Sequence, residues 1–303
     1  MFCKPNLFII GAAKCATSSL HTYLGQHPQI FMSPLKEPGF FAGDKEDGAK
    51  LRPFTVNGQT IYKPYCNDLD SYLALFDGAD GATYVGESST AYSQLPVRSG
   101  VVDRIYSFNK NARIVYVLRD PIDRTISHYW WHVQHEGEKR DLLSAIRENS
   151  HYCDVSYYAM QLRPYLDRFG AERVFWLTTE SLASEPVQIL KRLFAWLEID
   201  ETFTPAGINA RSNETPNVLN QPTSRILNRL RFSPAWERIS PWVPKLVRTS
   251  ARRLSERKID RAAVDSRAAV EFLRSIQVRQ TDELRRLLNY DFTEWKTVNG
   301  GGS

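Results

Sequence analysis

Apolar runs of β-type residues return along the chain at Leu7 to Ile10, Thr83 to Val85, Arg113 to Leu118 and Arg173 to Thr178. The stretches between them carry helical spacing, and such alternation predicts an α/β fold with a mostly parallel central sheet flanked by helices. One domain is expected over residues 1–298. Residues 299–303, Asn-Gly-Gly-Gly-Ser, read as a flexible tail of the kind cloning leaves and are set aside. A last helix is predicted over Ser266 to Leu288. The segment Gly43 to Asp70 is rich in Gly, Asp and Lys with little periodicity, which predicts a long surface excursion serving as a substrate loop or lid. A second irregular stretch runs from Ala206 to Thr223, and no internal repeat is visible.

Active groups on parallel sheets gather at the carboxyl ends of the strands, and three of the predicted strands end in residues with chemistry to offer. After Leu7 to Ile10 comes "GAAKCATSS", after Thr83 to Val85 "GESST", and after Arg113 to Leu118 "RDPIDRTISHYWW". The first is the order strand, turn, helix N-terminus. Unpaired N–H groups, the positive end of the peptide dipole and a Lys make such a place a pocket for phosphate or sulfate. Its candidates are Lys14, Cys15, Ala16, Thr17, Ser18 and Ser19. The common phosphate loop is G-x-x-x-x-G-K-[ST], whereas Lys14 follows Gly11 by three residues with no second Gly before it. With no acidic strand end to organise magnesium, a nucleoside triphosphatase is disfavoured. An anion cradle needing no metal remains, beside the plainer reading of an ordinary strand-to-helix turn.

In the third segment Asp120 suits an N-cap and Pro121 the first helical position. Arg119 is then at the strand end, with a planar fork to offer a phosphate, and Ser127 lies in the following helix with a hydroxyl. The alternative for Arg119 is an ion pair with Asp120 or Asp123.

Composition narrows the field. With 42% hydrophobic and 24% charged residues among 303, the chain reads as soluble and globular. Its apolar runs are too short to span a bilayer and no signal-peptide pattern opens it. Cys3, Cys15, Cys66 and Cys153 form no C-x-x-C pair, so neither a zinc site nor a disulfide framework is expected, and the placement expected is cytoplasmic. The net charge of +5 is concentrated, since Arg225 to Lys258 holds ten Lys or Arg against two Glu. That segment suits an acidic polymer or a peripheral membrane contact, or is a solvated helix face. His128, His132 and His135 have metal-like spacing but lack H-E-x-x-H and alternate with Tyr129, Trp130 and Trp131, the pattern of a packed aromatic helix. No G-x-S-x-G elbow accompanies Ser127 and His128. Cys15 is open to two readings, a reactive thiol or a backbone contributor.

Together these segments resemble sulfotransferases that use 3′-phosphoadenosine 5′-phosphosulfate (PAPS), especially the heparan-sulfate-type and bacterial carbohydrate enzymes. The likeness extends through "SPLKEPGFF", "GESSTAY", "TTESLASEPVQILKRLFAWLEI" and "LRRLLNYDFTEW", nearly the whole chain. It implies a P-loop-like, sulfotransferase-type nucleotide-binding core and PAPS as donor without a metal. The implied reaction is sulfuryl transfer to a hydroxyl or amine of an oligo- or polysaccharide, with no nucleic acid as partner. It places Lys14, Thr17, Ser18 and Ser19 on the 5′-phosphosulfate, with Cys15 and Ala16 contributing backbone, and Arg119 with Ser127 on the 3′-phosphate. Glu37 of "KEPGFF" is implied as the base. Lys36 beside it is the candidate for acceptor contact, and Glu87, expected just beyond a strand end, is placed on the acceptor side and is the alternative base. Two positions depart from the pattern: Gly39 stands where a His is frequent, and Ser88 where the heparan-type enzymes carry a Lys. A small alcohol or phenol is the alternative acceptor. A nucleotide phosphotransferase and a non-enzymatic binder of acidic polymers are the readings from other classes.

Overall fold

The computed structural model describes residues 4–42, 54–56, 59–61, 68–208, 217–222 and 256–300. Its strands are β1 (Leu7–Gly11), β2 (Ile30–Met32), β3 (Phe54–Val56), β4 (Gln59–Ile61), β5 (Tyr84–Ser88), β6 (Arg113–Leu118), β7 (Val174–Thr178), β8 (Val218–Pro222) and β9 (Glu256–Asp260). Five of them form a central sheet in the order β2-β5-β1-β6-β7, and every pairing in it is parallel. β1 and β6 are almost wholly buried, as expected of parallel strands covered on both faces. From β1 the chain moves first to one edge (β2, then β5) and afterwards to the other (β6, β7). The order therefore reverses beside β1, and the crevice at its carboxyl end is the place where such sheets bind ligands.

The helices are α1 (Thr17–Leu24), α2 (Leu69–Leu73), α3 (Val101–Phe108), α4 (Pro121–His135), α5 (Leu142–Glu148), α6 (His151–Asp154), α7 (Tyr158–Phe169), α8 (Thr179–Ser184), α9 (Pro186–Trp196) and α10 (Arg267–Leu288). The start of α4 is the predicted one: Oδ1 of Asp120 accepts from the N–H of Ile122 at 3.0 Å, with Pro121 in the first turn. α8 begins with a capping box in which Thr178 and Ser181 satisfy each other's end groups. Gly11 closes β1 at φ 148°, and a Cβ there would stand 2.1 Å from Oγ of Ser93. Only glycine fits that turn.

Three expectations change. The strand expected over Thr83 to Val85 is Tyr84–Ser88, so Glu87 and Ser88 belong to the strand and not to the loop beyond it. Ile30–Met32, too short to register as a periodic run, is the edge strand β2. Val218–Pro222, inside the stretch expected to be irregular, pairs antiparallel with Glu256–Asp260. Within the Gly43 to Asp70 excursion the described parts hold the β3–β4 pair and the start of α2, capped by Asp68. Of the basic segment only 256–258 is described, and Cys3, Cys66 and residues 301–303 also lie outside the described residues. Among the described residues no helix is long and apolar enough to cross a membrane.

Candidate active site

The turn after β1 passes through Lys14 at φ 71° and Ala16 at φ 55°, left-handed conformations that cost non-glycine residues about 1–3 kcal/mol each. Between them the buried Cys15 acts as an anchor, its Sγ 3.8 Å from both the Ala13 carbonyl and the Tyr158 hydroxyl. Burial pushes its thiol up to about 11, so of the two readings for Cys15 the structure supports the inert one. Ala16 gives α1 no side-chain cap, and the first turn holds no acidic residue. The leading N–H groups of Thr17, Ser18 and Ser19 therefore keep their capacity for an anion.

Cations converge on this turn. Burial holds Lys14 down at about 8, and the charge of Arg119 acts in the same sense, as do Arg261 and Arg124 more weakly. Arg119 leaves the end of β6 and donates from Nη1 to the Lys14 carbonyl at 3.3 Å. It pairs with neither Asp120 nor Asp123: Oδ2 of Asp120 accepts from the Val298 N–H at 3.0 Å, and Asp123 accepts from the Thr297 hydroxyl at 2.9 Å. Arg124, 0% exposed, donates to Ser156, to the Tyr152 carbonyl, to Thr125 and to Nδ1 of His128. Burial, and after it the charge of Arg124, holds His128 far below the ordinary histidine range. Among the described residues no carboxylate forms an ion pair with Lys14, Arg119 or Arg124. Ser127 lies two turns into α4 and is 7% exposed. Arg261, which follows β9, was not singled out from the sequence; its guanidinium carbon stands 5.6 Å from the Trp130 ring. Its signal was its place in "ERKIDR", at the end of the basic segment.

The acceptor side hangs from β2 and β5. The Glu37 N–H donates to the Ser88 carbonyl at 2.8 Å, which fixes the loop after β2 to the end of β5. One carboxylate oxygen of Glu37 accepts from the Thr90 N–H at 2.7 Å and its hydroxyl at 3.1 Å. The other meets Nζ of Lys36 at 2.6 Å. Glu87, expected to face the acceptor, is instead 0% exposed. It accepts hydroxyl hydrogen bonds from Tyr72, Tyr92 and Ser89 at 2.7, 2.7 and 2.6 Å. Burial raises it to about 7 against the pull of those hydroxyls. Because Ser89 Oγ also accepts from the Gly39 N–H and Tyr92 from the Phe41 N–H, Glu87 is a buried post under the loop that carries Glu37.

His21 is a second residue that sequence reasoning missed. Its Nδ1 stands 2.8 Å from Oγ of Ser88 and its Nε2 3.2 Å from the Ser33 carbonyl. The ring therefore donates from Nε2 and accepts at Nδ1. Burial first, then the charge of Lys36, lowers it to about 4 and keeps it neutral at pH 7. The available signal was its position four residues after Thr17, on the same face of α1. Four other histidines lie in an aromatic pack, His128 edge-on to His132, His151 and Tyr152 and His135 stacked on Trp131, while His27 packs on Phe194 and Phe203. Among the described residues no three His, Cys, Asp or Glu side chains are grouped to hold a metal ion.

The carboxyl end of the sheet thus presents a cation cluster with helix N–H groups open to an anion, and on the side of β2 and β5 an oriented carboxylate. Such a surface can hold a polyanion and draw a proton from a group placed next to it. A family profile described as "Sulfotransferase family" matches residues 5–205. Among solved structures the chain is similar to a sulfotransferase from Alicyclobacillus acidocaldarius, at 28% identity and TM-score 0.67, the match covering 97% of this chain and 99% of that one. Among curated proteins it is similar to the membrane-associated sulfotransferase kil1 of Dictyostelium discoideum, 28% identical over 134 residues, with 44% of this chain and 24% of that protein covered. It is also similar to carbohydrate sulfotransferase 15 of Homo sapiens, 23% identical over 283 residues, with 71% and 49% covered. The chain spans between a quarter and a half of the length of these two curated relatives.

Proposed function

The chain belongs to the sulfotransferase family, and from that premise we propose that it transfers a sulfuryl group from PAPS to a hydroxyl or amine of an oligo- or polysaccharide. The observation that carries this reading is the cation pair at the carboxyl end of β1, where Nη1 of Arg119 binds the Lys14 carbonyl at 3.3 Å and, among the described residues, no carboxylate pairs with either side chain. Like charges packed this closely are destabilising by themselves and favour a ligand with several negative charges. A donor with a 5′-phosphosulfate and a 3′-phosphate fits that set. When bound it would supply the sulfuryl group and leave as adenosine 3′,5′-bisphosphate.

Each residue then has a role. Lys14 and the N–H groups opening α1, with the hydroxyls of Thr17, Ser18 and Ser19, hold the 5′ group and offset charge growing on its leaving oxygen. Arg119 and Ser127 take the 3′-phosphate, with Arg261 adding positive charge near Lys14. Glu37 accepts the acceptor's proton, its carboxylate aimed by Thr90 and Lys36. Lys36, paired with Glu37, offers an acceptor a cation on that side. The saccharide class follows the printed name of the human relative, and the cytoplasmic placement follows four cysteines without a pairing pattern.

The decisive experiment is transfer from labelled PAPS to a glycan panel by the wild type and by Glu37→Gln. The variant keeps shape and hydrogen bonding but cannot accept a proton at neutral pH. Turnover is expected to fall about 10²- to 10⁴-fold while affinity for adenosine bisphosphate stays at the wild-type value. Undiminished kcat would remove Glu37 from the mechanism. Transfer to phenols or simple alcohols and to no glycan would assign the smaller acceptor class.

A further inference from the structure

The peptide that joins Arg119 to Asp120 is gripped from both sides. Its carbonyl accepts from the Tyr158 hydroxyl at 2.9 Å, and its N–H donates to Oε1 of Glu180 at 2.9 Å. A planar peptide held at both polar groups cannot rotate without breaking one of them, so the backbone direction from which the Arg119 side chain departs is fixed. Just before it, the Leu118 carbonyl accepts from the Thr179 hydroxyl at 2.9 Å.

Both grips lead to the segment that follows α10. Trp295 is 0% exposed and donates from its indole N–H to the other carboxylate oxygen of Glu180 at 3.2 Å. Its ring stacks on Phe292, centroids 4.1 Å apart, and lies 5.8 Å from the Tyr158 ring. Two residues further on, the Thr297 hydroxyl and the Val298 N–H bind Asp123 and Asp120, the carboxylates of the first turn of α4. One strap, residues 292–298, therefore contacts the partners of Arg119 and the cap of the helix that carries Ser127.

We propose that this C-terminal strap is a positioning element for 3′-phosphate recognition, acting through Trp295, Glu180 and Tyr158 on the orientation of Arg119. The inference rests on the reading that Arg119 receives the 3′-phosphate. The strap buries Phe292, Trp295 and Val298 in the core, and beyond that packing its polar groups bind Glu180, Asp123 and Asp120, the first of which holds the peptide that aims Arg119. Small misplacements of a binding group carry large penalties.

The test compares affinities for adenosine 3′,5′-bisphosphate and adenosine 5′-phosphate by calorimetry, with the ratio as the readout of 3′-phosphate recognition. Arg119→Ala checks the premise and should lower that ratio about 10- to 100-fold. Tyr158→Phe removes only the hydroxyl and Trp295→Phe only the indole N–H and part of a ring. Each is expected to lower the ratio about three- to tenfold. Affinity for adenosine 5′-phosphate is expected to stay unchanged in Trp295→Phe, whereas in Tyr158→Phe, whose hydroxyl also meets Sγ of Cys15 in the 5′ loop, the ratio alone is the readout. Equal weakening of both nucleotides, or a lower melting temperature with an intact ratio, would make the strap merely structural and overturn the inference. Should Trp295→Phe fail to fold, Tyr158→Phe decides alone. If Arg119→Ala leaves the ratio intact, the 3′-phosphate reading itself fails, an outcome distinct from an effect of Arg119 without one of Tyr158 and Trp295.

Discussion

Replacing Glu87 with Gln should change how the protein's stability depends on pH. Burial raises this carboxyl from 4.5 to about 7, so between those values the folded state holds a proton that the unfolded state releases. The contribution of the group is full below pH 4.5 and is lost as pH rises through 7. A shift of this size corresponds to about 3 kcal/mol, each pKa unit being about 1.4 kcal/mol, and because the side chain is fully buried no allowance for solvent screening applies. Gln keeps an oxygen to accept from Tyr72 and Tyr92, and its amide can donate to Ser89 after that hydroxyl turns. The variant lacks the titration. Urea unfolding of both proteins from pH 4.5 to 8 should therefore show the stability of Glu87→Gln, relative to wild type, rising by about 3 kcal/mol across that range. Carboxylates common to both proteins cancel in the difference. Parallel profiles would refute the reasoning, for they would mean that the three hydroxyls hold Glu87 ionised down to the ordinary carboxylate range despite its burial.

Lys14 should take up a proton when a polyanion binds, because the ligand favours the charged form that burial and Arg119 disfavour. Calorimetry of adenosine bisphosphate at pH 8.5 in buffers of different ionisation enthalpy should show net uptake, with affinity falling up to about tenfold per pH unit above 8. Wild type without uptake, or Lys14→Met with the same uptake, would count against the site. Gly11→Ala should cost about 2–4 kcal/mol in thermal or urea unfolding, since the new methyl meets Ser93 at 2.1 Å and the backbone sits at φ 148°. A loss below about 0.5 kcal/mol would show that the turn relaxes.

The sequence made the interior of the sheet legible because β1 and β6 are continuous apolar runs, and it made the start of α4 legible because an Asp-Pro cap is local chemistry. β2 was not legible, since three residues at an edge carry no period. Its absence left Glu37 without a structural address, so the role of that residue rested on resemblance alone. Glu87 was misplaced for the opposite reason. A carboxylate ordinarily marks the end of a buried strand, and here it is buried because Tyr72, Ser89 and Tyr92 each bring a hydroxyl to it. Tyr72 comes from α2, fifteen residues away, a distance across which no sequence pattern operates. Arg124 and Arg261 escaped notice in the same way, since their significance lies in what surrounds them rather than in spacing.

Glu37 and Lys14 are opposite charges that would neutralise each other if they met, and the cation at the turn after β1 would then be spent before any ligand arrived. In this sheet Lys14 follows β1 and Glu37 follows β2, but the Glu37 N–H binds the Ser88 carbonyl and its carboxylate the Thr90 N–H, so Glu37 stands over the end of β5, the strand beside β1. Glu37 is held on its own side by Thr90 at the end of β5 and by Lys36 beside it in sequence. Lys14 is held on the other by Arg119, whose guanidinium binds the Lys14 carbonyl. Each charge is thus held by partners of its own, and those partners come together through the parallel order of β5, β1 and β6, a feature of topology with no local sequence signal.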